Sequence, residues 1–60
     1  MTFEIGDVVK IRGSNEFHEV VGVIHDSARI FLLVEKTEPA WSEVEFSFSD
    51  VEAQYRRIDT

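Results

Sequence analysis

The chain contains no cysteine, which excludes disulfide cross-links and thiolate metal sites and fits a reducing compartment, the cytoplasm. It has one proline and only three glycines, Gly6, Gly13 and Gly22, too widely spaced to form a phosphate-cradling loop. The longest unbroken apolar stretch is "IFLLV", from Ile30 to Val34, far short of the roughly 20 residues that a membrane-spanning helix needs. The opening "MTFEIGDVV" carries an acid where a secretory leader carries basic residues ahead of a long apolar segment. These absences lead us to expect an unexported protein with no membrane association. Cations are scarce as well: six Lys and Arg stand against twelve Asp and Glu, a net charge of −6. That balance aids solubility and opposes general adhesion to nucleic acid or anionic lipid.

What is present is apolar enough to fold. Hydrophobic residues make up 43% of the chain, above the range of disordered segments. The 60 residues are expected to form one small domain, 1–60. A domain of this size buries only roughly 60% of the surface its unfolded chain exposes. With no disulfide to reinforce it, association with another chain, including a second copy, is the expected source of added stability.

The apolar pattern has the period of strands. Gly6-Asp7 is a turn that launches a first strand, Val8 to Arg12, with Val9 and Ile11 on one face and Val8, Lys10 and Arg12 on the other. "GSNEF" is a loop. "HEVVGVIHD" is a second strand whose central Gly22 marks a bulge or sharp bend. A tight hairpin around Asp26-Ser27 leads to a third strand, "ARIFLLVEK", apolar on both faces. "TEPA" is a loop around Pro39. In the fourth strand, "WSEVEFSF", Val44, Phe46 and Phe48 alternate with Glu43, Glu45 and Ser47, the pattern of a strand with one wet face. Ser49 and Glu52 match a capping box for one short 3₁₀ turn before a last strand around "QYRRI". The expected core joins Val9, Ile11, Val21 and Val23 to Ile30, Leu32, Val34, Val44, Phe46 and Phe48, with Phe3 and Ile5 packed over one end. A one-residue change of register would reverse the faces of the middle strands.

Five strands with a 3₁₀ turn before the fifth resemble the SH3-like barrel superfamily over nearly the whole chain. The "GDVVKI" opening is similar to the first strand of small KOW-like and Tudor-like barrels. "GVI" and "VEFSFSDVE" resemble short bacterial and phage proteins of the same layout, and the rhythm is similar to that of photosynthetic accessory barrels. The resemblance implies a fold class: all-β, a small five-stranded SH3-like barrel with a single 3₁₀ turn before the last strand.

No residue set in the sequence carries catalytic chemistry. His18 and His25 fit no common zinc spacing, and no cysteine completes a ligand set. Glu43 and Glu45 share a strand face, which a solvated face also produces. No "GxSxG" elbow is present. We expect no enzyme, no cofactor and no metal.

Two surfaces remain. If Ile30, Leu32 and Val34 point inward, Phe31 and Leu33 point outward. The aromatics Phe17 and Trp41, outside the core alternation, either extend that apolar patch or fold over it. Phe31, Leu33, Trp41 and Phe17 are therefore the candidate protein interface, for a partner or for self-association. With Tyr55, the aromatics Phe17 and Trp41 also match what a Tudor-like cage would require, whereas the "ALYDY"-type motif of proline-binding SH3 domains is missing. The alternative is a KOW-like nucleic-acid surface. Pairing of the first and last strands would gather Lys10, Arg12, Arg56 and Arg57 on one side, with Glu35, Glu43 and Glu45 on another. The net charge disfavours that alternative.

Overall fold

The computed structural model describes residues 2–38 and 40–56. Five strands, β1 (Val8–Ile11), β2 (Phe17–Ile24), β3 (Arg29–Glu35), β4 (Trp41–Ser47) and β5 (Val51–Tyr55), make one sheet in the order β4-β3-β2-β1-β5. Every neighbouring pair is antiparallel. A single 3₁₀ turn, Phe48–Asp50, precedes β5. The all-β class, the strand number and the place of the turn are those expected. Barrel closure is not made by hydrogen bonding: among the described residues β4 and β5 do not pair, and the sheet is open. Also among the described residues, no helix is long and apolar enough to cross a membrane.

The first corner explains why the chain opens as it does. Gly6 adopts φ 97°, a conformation that residues with a Cβ rarely take, and its N–H donates to the Val20 carbonyl at 2.9 Å. The buried carboxylate of Asp7 accepts from the Glu4 N–H at 3.1 Å and from Gln54 Nε2 at 2.8 Å, both on Oδ2. This clamp joins the N-terminal segment to β5 and seats Phe3 in the core. Ile5 was expected beside Phe3, yet it is 71% exposed. It lies in the Gly6 turn, where strand alternation does not apply.

Register in β2 departs from a simple alternation. Val20 pairs with Leu32 and Gly22 pairs with Phe31, so Val21 is the extra residue of a bulge. Val20 is therefore fully buried, and Val23 packs on the same core three positions later. Val21, expected inside, is only half-buried and outside the core cluster. Gly22 marks the bulge because the Phe31 ring lies against it: a Cβ there would stand 3.2 Å from Phe31 Cδ2.

The core comprises Phe3, Val9, Ile11, Val20, Ile30, Leu32 and Val51, with Val23, Val34, Phe46 and Phe48 packed around it. Each full burial contributes roughly 1.5–3 kcal/mol. Val44, expected inside, is half-buried and outside the cluster. Phe48 turns inward onto Phe3, ring centroids 4.7 Å apart. That turn moves the cap two residues ahead of its expected place. Ser47 is the N-cap: its hydroxyl accepts from the Ser49 N–H at 3.4 Å, and Asp50 Oδ2 accepts from the Ser47 N–H at 2.9 Å. β5 accordingly starts at buried Val51, leaving Glu52 to pair with Lys10.

A candidate binding cleft on the outer face of the sheet

Directly paired residues in an antiparallel sheet point to the same side, so the registers assemble the outer face row by row. One row runs Glu43, Leu33, Glu19, Val8, Tyr55 across all five strands. In the next, Trp41 pairs with Glu35, and Phe17 with Lys10. Phe31 belongs to a third row, between Gly22 and Glu45.

These rows build a cleft of about 450 Å³ at the starts of β2 and β4. Phe17 and Trp41 line it from the two strands, and Leu33 lines it from β3 between them. Both aromatics are more than half exposed, whereas Leu33 is half-buried. Tyr55 extends the aromatic surface through an edge contact with Phe17, 5.7 Å between centroids. Glu16, Glu19 and Glu35 supply the acidic lining, and His18 completes it. A shallower recess beside it holds Glu16 and Glu35 together with Lys36 and Thr37.

Charges are distributed unevenly over the molecule. Glu4, Glu45 and Glu52 each hold a cation: Arg56 at 2.8 Å, Arg29 at 3.1 Å and Lys10 respectively. Glu16, Glu19 and Glu35 make no ion pair among the described residues. In the cleft, carboxylates and aromatic rings thus meet with no ion-pair partner among the described residues.

Three of the four candidate interface residues, Phe17, Leu33 and Trp41, converge here, although 24 positions separate the first from the last. Phe31 does not join them; its ring covers Gly22. The acids Glu16 and Glu19 were not singled out in the sequence. The signal for Glu19 is the β2–β3 register, which the Val21 bulge hides from a straight count of alternation; Glu16 stands just before β2 and has no register signal.

The candidate basic face is differently built. β1 pairs with β5 as expected, which sets Lys10 beside Glu52. A hydrogen bond from Lys10, then the charge of Lys10, with a smaller contribution from Arg12, holds the Glu52 carboxyl below its ordinary value of 4.5. Arg56 reaches Glu4 and the Thr2 carbonyl. Arg12 is exposed. Arg57, with Pro39 of the β3–β4 loop, lies outside the described residues. His18 is half-buried on β2, while His25, in the β2–β3 turn, meets Phe48 edge-on at 6.1 Å. Among the described residues no group of three or more His, Asp or Glu is placed to hold a metal ion.

No protein-family model, curated protein or solved structure matches this chain.

Proposed function

We propose that this protein is a non-enzymatic interaction module, an SH3-like barrel in kind, that serves as an accessory subunit by docking another protein on the outer face of β2, β3 and β4. The observation that carries the reading is the convergence of Phe17, Leu33 and Trp41 on one cleft. Exposed aromatics gathered around a half-buried aliphatic are enriched at protein interfaces and expensive to leave in water. Strand order and the 3₁₀ turn before β5 support the SH3-like assignment.

The charge on this face favours a different protein over a second copy. A two-fold pairing of the face with itself would oppose one set of Glu16, Glu19 and Glu35 with another, and like charges directly opposite are destabilising. A nucleic-acid role has less support, because Lys10 and Arg56 already hold Glu52 and Glu4.

The test is site-specific photo-crosslinking in the cell that makes the protein. A p-benzoylphenylalanine replacing Glu43, which pairs with Leu33 on the outer face, is expected to capture a discrete partner. The same residue replacing Asp26, in the β2–β3 turn, is expected to capture none. Equal capture at both positions, or none at position 43, would overturn the reading.

A further inference from the structure

The geometry points to an arginine side chain, presented by a basic segment of the partner protein, as the group that enters the cleft; this inference rests on the interaction reading above. Three features of the cleft lead to it. Its volume, about 450 Å³, lies within the roughly 300–1,000 Å³ of pockets that take small groups. Its walls carry two exposed aromatic rings, from Phe17 and Trp41, whose negative π-faces attract a cation. Its lining carries three carboxylates, Glu16, Glu19 and Glu35, with His18 beside them and no Lys or Arg.

Those three carboxylates have no cation of their own among the described residues, whereas Glu4, Glu45 and Glu52 each have one. The site is therefore complementary to a positive group that arrives from outside. Lys36 stands in the neighbouring recess beyond Glu16 and Glu35 and does not line the cleft itself. Arginine fits better than lysine. Its guanidinium is planar, stacks on an aromatic face, donates to two carboxylates in a fixed fork and is less strongly hydrated than an ammonium.

Trp41 is the single tryptophan of the chain, so its emission reports directly on the cleft. The probe is an acetylated, amidated peptide of alternating arginine and serine. Two matched peptides carry lysine or neutral citrulline in place of arginine. Saturable perturbation of Trp41 emission by the arginine peptide, weaker binding of the lysine peptide and none of the citrulline peptide are expected. Phe17→Ala and Glu35→Gln should each weaken binding by roughly threefold to tenfold. Asp26→Asn removes the same charge from the distant β2–β3 turn and should leave affinity within about twofold. Glu35 is exposed, so Glu35→Gln tests the cleft even where Phe17→Ala perturbs packing.

Equal weakening by Glu35→Gln and Asp26→Asn would reduce the effect to net charge and overturn the inference. Binding of the citrulline or lysine peptide as tightly as the arginine peptide would also overturn it. If no peptide binds while the crosslinker at position 43 still captures a partner, the arginine inference falls and the docking face stands. If both experiments fail, both readings fall.

Discussion

Replacing Gly22 with alanine tests the most constrained contact on the outer face. The added methyl would stand 3.2 Å from Cδ2, 3.5 Å from Cβ and 3.6 Å from Cγ of Phe31. Cδ2 can retreat by tilting the ring, but Phe31 Cβ is fixed to the backbone of a central strand. Overpacking of this sort costs typically about 1–3 kcal/mol. Against it stands the lower unfolded-state entropy of alanine, about 0.4–1 kcal/mol. The expected net loss is about 0.5–2 kcal/mol, which in a domain this small lowers the melting temperature by roughly 4–8 °C per kcal/mol.

The decisive arm is the same substitution in a Phe31→Ala background. There Cδ2 and Cγ are gone, and the nearest remaining side-chain atom is a Cβ at 3.5 Å, an ordinary contact. Gly22→Ala should then be neutral or stabilise by up to about 1 kcal/mol. Urea unfolding followed by far-ultraviolet circular dichroism measures all four corners of the cycle, and residues in contact show coupling of roughly 0.5–3 kcal/mol. An equal effect of Gly22→Ala in both backgrounds, or a stabilised Gly22→Ala with Phe31 present, would refute the assignment of Phe31 as the cover of that glycine.

Three further outcomes are expected. Val20→Ala should cost about 1.5–3 kcal/mol and Val21→Ala less than about 1 kcal/mol, and chemical denaturation that ranked them the other way would remove the bulge from β2. Asp7→Ala, which removes the acceptor of the Glu4 N–H and one of the two acceptors of Gln54 Nε2, the Thr2 carbonyl being the other, should cost about 1.5–3 kcal/mol. Asp7→Asn should cost less, since both bonds fall on one oxygen that an amide carbonyl can replace, and equal losses by thermal melting would count against the clamp. Glu52 has its carboxyl held low by Lys10, so its pairing contributes stability above the ordinary carboxylate value and loses it as pH falls through the lowered one. Carbon-detected NMR titration should place its midpoint below 4.5 and show it rising in Lys10→Met, and a midpoint at or above that value in the parent protein would contradict the pair.

Much of the fold was legible because it rests on local rules. Alternation set the faces of β1 and β4, glycine with aspartate marked the first corner, and Gly22 marked the bulge. Two of the failures share one cause: a local pattern was continued past an irregularity. Counting by twos through Val21 put the wrong valine in the core, because the extra residue shifts every later side chain by one position. Extending the strand rule into the Gly6 turn misplaced Ile5. The cap moved from Ser49 to Ser47 because stacking of Phe48 on Phe3, a contact 45 residues apart, decides where the turn starts. For the cleft, alternation in the third strand identified Leu33, and aromatic character outside the core alternation identified Phe17 and Trp41. Their acidic neighbour Glu19 became visible only through cross-strand register, and Glu16, just ahead of β2, only through the folded cleft.

Among the described residues β4 and β5 do not pair, so the sheet ends in two edge strands rather than closing on itself. On β4 that margin carries Glu43, exposed and without an ion pair among the described residues, and Glu45, which Arg29 holds at 3.1 Å, so a second copy extending the sheet there would bring two Glu43 carboxylates to one seam. An exposed charge on an edge strand is one of the means by which a sheet discourages lateral growth by its own copies.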